Sequence, residues 1–324
     1  MLILPNITKR LLNCCRLVVG YALSSVFRRP VVIHAPVFLS IEPVNVCNLH
    51  CPQCPTGMGM YRRSKRFFDM EAFARVLKEV GENLLCVQFY FQGEPLLCPS
   101  LCDMIKMAKA YGLYTVVSTN AQLLDDVAAK LVVSGLDKLI VSMDGISQEA
   151  YSSYRVGGDV TKVISGLRSV ADWKKFHHQS TPCVELQWLV LRTNEAEMPI
   201  VRKQYKRLGA NRLVFKTAQF YTVPKMDPLM PQSNRYNRYR CLLDGSWVLK
   251  RKLRNRCWRL WSGAVIDVEG NVRSCCFDKA GAYVLGNIYH ASFNQIWHGE
   301  QAQKFRARIL RHRSAIDICQ NCTE

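Results

Sequence analysis

Val46-Cys47-Asn48-Leu49-His50-Cys51-Pro52-Gln53-Cys54-Pro55 sets three cysteines in the spacing C-x3-C-x2-C. Three thiolates this close suit three corners of one iron–sulfur cube and leave one iron without a protein ligand. Zinc is the other ion that favours cysteine, but a structural zinc wants four ligands. The next cysteine, Cys86, lies on an expected strand beyond a whole helix. An iron with an open position can bind a reactant, so the chain around it is read as a reaction centre.

Outward from this stretch, short β-rich runs alternate with longer helical patterns, the rhythm of βα units building a parallel sheet. Strands are expected over 37–42, 84–90, 113–118, 138–142, 184–191 and 212–216, with helices starting near Asp69, Cys98, Leu123, Ser147, Thr161 and Glu195. The pattern predicts an α/β fold, a partial (β/α)6 barrel of the TIM type that stops short of closure. Chemistry in such barrels gathers at the C-terminal ends of strands. The three cysteines follow the first strand, Gln92-Gly93-Glu94-Pro95 the second, Ser118-Thr119-Asn120 ends the third and Ser142-Met143-Asp144-Gly145 the fourth.

Past residue 220 the rhythm breaks at Pro224, Pro228 and Pro231 and runs through a basic stretch to Cys257. The expected organisation is an N-terminal amphipathic extension (1–36), the barrel (37–220), a basic linker (221–256) and a small C-terminal domain (257–324). In that domain 264–267 and 271–274 flank Glu269-Gly270, a hairpin signal. Cys257, Cys275, Cys319 and Cys322 offer four thiolates, the last two as C-x2-C.

Over residues 37–324 the chain resembles radical S-adenosylmethionine enzymes with a C-terminal extension of the SPASM or twitch type. The cysteine loop carries the resemblance, together with Cys-Trp-Arg-Leu-Trp from Cys257, the stretch from Asp267 to Asp278, Leu-Gly-Asn-Ile from Leu285 and Cys-Gln-Asn-Cys from Cys319. The resemblance implies that Cys47, Cys51 and Cys54 hold a 4Fe-4S cluster whose open iron binds S-adenosylmethionine. Reductive cleavage then gives methionine and a 5′-deoxyadenosyl radical that abstracts hydrogen. Gln92, Gly93, Glu94 and Pro95 stand where the family has Gly-Gly-Glu-Pro against the methionine ammonium, with Gln92 replacing the first glycine. Ser118, Asn120, Ser142 and Arg155 match positions around the ribose and the methionine carboxylate. The backbone of 189–191 passes the adenine, where Gln53 departs from the family's apolar or aromatic residue.

The far set, Cys257, Cys275, Cys319 and Cys322, is implied to hold one auxiliary 4Fe-4S cluster, a four-cysteine zinc site being the alternative. Cys275 is preferred to Cys276 by its spacing from Cys257, because neighbours on a strand face opposite ways. The function implied is a dehydrogenase-like oxidation, as in aminocyclitol dehydrogenases, with the auxiliary cluster accepting an electron, Asp278 as base and a donor such as flavodoxin or ferredoxin. Peptide or protein maturation is the second reading; it expects a peptide-recognition domain before the barrel, for which 36 residues are short. A non-catalytic electron-transfer or binding protein is the third, and the Gly-Glu-Pro and Ser-Met-Asp-Gly loops argue against it.

The bulk numbers agree with a globular chain in a reducing compartment. The 324 residues are 49% hydrophobic, enough to bury a sizeable core. Fifteen cysteines are an odd count at metal-ligand spacings, so a cytoplasmic location is expected. Leu4, Ile7, Leu11, Cys15, Val18, Ala22 and Val26 mark one helical face, interrupted by Lys9, Arg10 and Arg16. That segment reads as falling short of the about 20 apolar residues of a membrane span. It is expected to be a helix packed on the main domain, with a membrane-surface or partner-binding helix as the other reading.

Net charge is +19. Arg62, Arg63, Lys65 and Arg66 follow the cysteine loop and point to an acidic or phosphorylated substrate; a nucleic-acid partner is not expected. Lys304, Arg306, Arg308, Arg311 and Arg313 read as a solvated helix surface.

Overall fold

A computed structural model describes residues 7–61, 63–220 and 227–323; Leu4, Arg62 and Pro224 lie outside them. The strands are β1 (Phe38–Ile41), β2 (Cys86–Phe89), β3 (Tyr114–Thr119), β4 (Lys138–Ser142), β5 (Cys183–Val190), β6 (Arg212–Thr217), β7 (Tyr239–Cys241), β8 (Trp247–Leu249), β9 (Gly263–Ile266), β10 (Asn271–Arg273) and β11 (Val284–Asn287). Helices Met70–Val80, Leu101–Ala110, Leu124–Val133, Gln148–Ser152 with Val160–Phe176, and Met198–Gln204 fall between β1 and β6. The chain therefore has the α/β partial-barrel fold that its rhythm predicts, with strand ends shifted by a residue or two.

Two compact units cut across chain order: 1–46, 63–116 and 253–324 form one, 47–62 and 117–252 the other. This differs from the expected boundaries at 220 and 256, because the C-terminal segment shares a unit with β1 and β2. Strand register is the reason. β9 pairs in parallel with β1, Phe38 opposite Gly263 and Ile41 opposite Ile266, so the first unit carries the order β11-β10-β9-β1-β2. The expected hairpin is present as β9 and β10, antiparallel, with Val272 opposite Ile266.

Helix Met70–Val80 shows how this unit builds its core. Asp69 accepts hydrogen bonds from the Glu71 and Ala72 amides and starts the helix. Ala72, Phe73, Val76, Leu77 and Val80 then recur at helical spacing and are buried. Phe73 meets Phe89 of β2 edge-on at 5.8 Å. Each of the larger side chains, Phe73, Val76, Leu77 and Val80, contributes about 1.5–3 kcal/mol by leaving water.

The N-terminal helix Ile7–Phe27 packs on this unit, but through the side that carries polar groups. Arg10, Asn13, Leu17, Gly20 and Ser24 are its buried residues. Arg10 donates to the Gly112 and Tyr111 carbonyls, Asn13 exchanges hydrogen bonds with the Ala35 backbone, and the Trp261 indole donates to Ser24 Oγ at 3.1 Å. Gly20 permits the approach: a Cβ there would lie 2.7 Å from the Val31 carbonyl oxygen. The periodic apolar face is turned outward, with Ile7, Leu11, Cys15, Val18, Ala22 and Val26 all exposed. By length and composition alone the helix is long and apolar enough to cross a bilayer, which corrects the expectation that it falls short.

The charge run at 304–313 is corrected as well. Arg306 and Arg313 are buried. Arg306 donates to the Trp297 carbonyl at 2.8 Å and its guanidinium lies 4.3 Å from the Trp297 ring, with burial lowering its pKa to about 9. Arg63, expected to face substrate, forms a fork of hydrogen bonds at 2.7 and 2.9 Å to the buried Glu42.

His34, 2% exposed, donates through Nε2 to the Trp261 carbonyl at 2.8 Å. Burial drives its pKa from 6.5 to about 4, against the opposing pull of that carbonyl. The unfolded chain takes up this proton near pH 6.5 while the folded chain does not, so the stability is full above pH 6.5 and lost as pH falls towards 4. The loss is about 3 kcal/mol. Denaturant melts of wild type and His34→Gln at pH 7 and pH 5 check this; the variant should show the shallower pH slope, and equal slopes would refute it.

In the second unit β4, β5 and β6 run parallel, with Lys138 opposite Cys183 and Glu185 opposite Arg212. Leu49, Cys51, Tyr154, Leu191, Phe220 and Tyr239 form a buried cluster there, with Cys47 and Cys54 packed against it.

Candidate functional site

In the second unit, the cysteine loop is wound tightly by its own backbone. The Cys54 amide donates to the Cys51 carbonyl at 3.1 Å and the Met58 amide to the Cys54 carbonyl at 2.8 Å. The Leu49 amide points at Cys47 Sγ, 3.4 Å away. Asn120, from the end of β3, places Nδ2 3.6 Å from Cys47 Sγ and 2.8 Å from Asn48 Oδ1. Arg155 approaches Cys51 Sγ at 3.9 Å and is aimed by Asp144, which takes its Nε at 2.6 Å and the Leu189 amide at 2.6 Å.

Burial pushes the Cys51 thiol up, and Arg155 offsets part of that. Burial likewise works to lower Arg155, but Asp144 and Cys51 outweigh it and keep the guanidinium charged. Removing Asp144 would strand that charge, a loss of about 3–5 kcal/mol for a buried pair.

Two of the expected residues thus meet the loop through side chains, Asn120 and Arg155. Ser118 and Ser142 are half-buried near the C-terminal ends of β3 and β4. Gln53 donates to Asp227 Oδ2 at 2.9 Å, so its replacement of an apolar residue is tied to a polar partner.

In the first unit, Gly93 has φ +74°, and a Cβ there would come within 2.2 Å of the Val44 carbonyl oxygen, so no other residue fits without moving backbone. The Glu94 amide donates to the Val46 carbonyl at 2.8 Å, and its carboxylate accepts from the Leu96 amide at 3.1 Å at the start of the turn Pro95–Leu97. Gln92 is buried and donates to the Lys279 carbonyl at 3.0 Å. That contact ties the loop after β2 to the loop after β10 through the Gln92 side chain.

The far cysteines also lie in the first unit. Cys257 precedes the helix Trp258–Ser262, and the Cys322 amide donates to the Cys319 carbonyl at 3.0 Å in the C-x2-C turn. Cys275 is driven up in pKa by burial and by the neighbouring thiols Cys276, Cys257 and Cys319. Cys319 is pushed up to about 11 by burial, with the Arg313 guanidinium opposing. Arg313 Nη2 lies 3.3 Å from Cys322 Sγ. Cys276 turns to Arg259, whose Nη1 is 3.5 Å from its Sγ. Neither cysteine lies within β10, so strand alternation does not choose between them.

Asp278 is corrected as a base. It is fully buried, and its two carboxylate oxygens accept the Ala282 and Tyr283 amides at 2.8 and 3.0 Å, so it closes its own loop. Its neighbour Lys279 instead lines a cavity of about 110 Å³ with Ser40, Gln88, Tyr90, Phe91, Arg259, Cys275 and Cys276. Sequence reading missed Arg259, Lys279 and Arg313, since nothing in spacing separates a cavity-facing cation from a surface one.

No disulfide joins any of the cysteines among the described residues. Among the described residues no group of three or more donors is drawn up to ready metal-ligating geometry. What the fold gathers is buried and half-buried thiols beside guanidinium groups. Burial makes Cys51, Cys257, Cys275 and Cys319 resist ionisation alone, but a bound metal would deprotonate its thiol ligands, so this donor set fits an iron–sulfur group.

Comparison with known proteins decides the family. The radical SAM superfamily profile matches residues 41–176, and the SPASM iron–sulfur cluster-binding domain matches 257–323. The chain belongs to the radical SAM superfamily. Its cofactors are accordingly S-adenosylmethionine, the 4Fe-4S cluster that binds it, and auxiliary iron–sulfur.

Among curated proteins, this radical SAM chain is 27% identical over 176 residues to a probable GTP 3′,8-cyclase of Methanocaldococcus jannaschii, covering 53% of this chain and 56% of that one. It is 28% identical over 190 residues to a PqqA peptide cyclase of Gluconobacter oxydans, covering 57% and 50%. The chain thus spans about half the length of the curated relatives it matches. Among solved structures, BtrN in complex with AdoMet and 2-DOIA aligns over 90% of this chain and 94% of its own, with TM-score 0.54 and 21% identity, a likeness of fold.

Arg313 yields a prediction at the far thiols. A buried positive charge stabilises the more negative, reduced state of a thiolate-held cluster. Arg313→Gln should lower the reduction potential of the auxiliary cluster by an amount on the order of tens of millivolts, with iron content retained. An anaerobic EPR redox titration measures it, and an unchanged potential would count against a tuning role.

Proposed function

We propose that this chain is a dehydrogenase-like radical SAM enzyme acting on a small anionic molecule, with the cavity beside Cys275 and Cys276 as its substrate pocket. That cavity carries the reading. It is small, it is lined by one cysteine of the far set, and Arg259 and Lys279 bring positive charge to its wall. Cys47, Cys51 and Cys54 would hold the cluster at which S-adenosylmethionine, when bound, would supply a 5′-deoxyadenosyl radical for hydrogen abstraction.

The residues do the rest. Asn120 and Arg155 orient the cysteine loop and hold positive charge against it. Aromatic Tyr90 and Phe91 exclude water from the pocket, which a carbon radical requires. The cations Arg259 and Lys279 bind the substrate's anionic group. The substrate would lose a hydrogen atom to the 5′-deoxyadenosyl radical, a proton to solvent and an electron to an auxiliary iron–sulfur cluster that Cys257, Cys275, Cys319 and Cys322 would hold, a two-electron oxidation in all. A one-electron donor of the flavodoxin or ferredoxin type would start each turnover.

A fold like that of BtrN, whose structure contains 2-DOIA, supports a small-molecule substrate. The likeness to a PqqA peptide cyclase supports peptide modification as the second reading. The test is anaerobic turnover of the reconstituted, reduced protein with deuterated small anionic alcohols. Deuterium in 5′-deoxyadenosine, with one equivalent of ketone, supports the first reading. Cluster-loaded protein that forms no 5′-deoxyadenosine would sink both.

A further inference from the structure

The helix Ile7–Phe27 is amphipathic the wrong way round for a helix covering a core. Its polar groups Arg10, Asn13 and Ser24 are spent on hydrogen bonds to the protein beneath it. Its apolar residues face outward: Ile7, Leu11, Val18 and Val26 are each at least 57% exposed. Leu12 and Phe27 widen the same sector and are also more than half exposed. A helix of 21 residues is about 30 Å long, so this is an extended apolar strip, not a scatter of single residues.

Charge says what covers it. No Asp or Glu occurs before Glu42, and Arg16, Arg28 and Arg29 are exposed along and beyond the helix. The Arg29 guanidinium lies 5.6 Å from the Phe27 ring, where a cation meets the end of the apolar strip. A second copy docking through this face would bring cationic strips together without an acidic residue on either helix. An anionic bilayer surface offers what the strip asks for, hydrocarbon under the apolar sector and negative headgroups at its cationic edges.

We propose that the Ile7–Phe27 helix docks this protein in the plane of an anionic membrane surface. The polar contacts beneath hold the helix flat against the protein, which favours lying on a membrane over crossing it.

The experiment is vesicle co-sedimentation of the full chain, loaded with its clusters under anaerobic conditions. Probes are phosphatidylcholine vesicles with and without phosphatidylglycerol. Wild type should sediment with the anionic vesicles, less so as salt rises. The triple variant Leu11→Ser, Val18→Ser, Val26→Ser should lose about tenfold or more of that binding. Arg16→Gln, Arg28→Gln, Arg29→Gln together should lose the preference for anionic lipid. All six positions are exposed, so both variants should keep wild-type 5′-deoxyadenosine formation, which guards against misfolding as the cause.

Two outcomes overturn the proposal. One is wild type that stays in the supernatant with anionic vesicles. The other is a concentration-dependent dimer that the apolar triple variant abolishes, without vesicle binding, which would make a second copy the occupant.

Discussion

A Cys51→Ala chain, reconstituted with iron and sulfide and supplied with reductant and S-adenosylmethionine, is expected to form no 5′-deoxyadenosine above background. The fall should be on the order of a thousandfold or more, since the whole radical chemistry depends on one cluster. Cys51 is the deepest of the three, 5% exposed and packed among Leu49, Tyr154 and Leu191. Replacing a thiol with a methyl hydrogen there removes little volume, at about 1 kcal/mol, so the fold should survive. The Arg155 and Asp144 pair would persist without the sulfur it approaches. Iron should fall by about one cluster per chain, while the iron–sulfur absorbance of the cluster that the far cysteines would hold remains. Product comparable to wild type would mean that another ligand set generates the radical.

The second large effect separates neighbours. Cys275→Ala should lose the auxiliary cluster, about four irons per chain, and with it substrate oxidation, while 5′-deoxyadenosine still forms without coupling to product. Cys276→Ala should keep its iron. The expected difference rests on the spacing of Cys275 from Cys257 and on Cys276 facing Arg259, whose Nη1 lies 3.5 Å from its Sγ. Loss of iron in Cys276→Ala with retention in Cys275→Ala would reverse the assignment. Mössbauer spectra of the two variants read this directly, without a substrate.

Much of the fold was legible because local signals are strong there. The run 138–142 becomes β4 with those bounds, and Asp69 begins its helix as a capping residue should. The cysteine loop was legible for the same reason, since three donors within eight residues need no tertiary information to be brought near. The contacts of Gln92 and Asp278 were not. Each sits in a motif whose spacing suggested chemistry, and each is committed to hydrogen bonds: Gln92 to a carbonyl 187 positions away, Asp278 to two amides just ahead of it.

The amino-acid sequence by itself determined the element order, the loop that gathers Cys47, Cys51 and Cys54, and the existence of an amphipathic helix at 7–27. These follow from periodicity, capping and spacing, which act within a few residues. The tertiary structure alone decided which way that helix faces, which strand receives β9, and that Arg306 and Arg313 are buried. Those outcomes depend on which backbone carbonyls and rings lie nearby in space. A polar side is buried when it finds carbonyls to satisfy it, and an apolar side is left outward when nothing of the chain's own covers it.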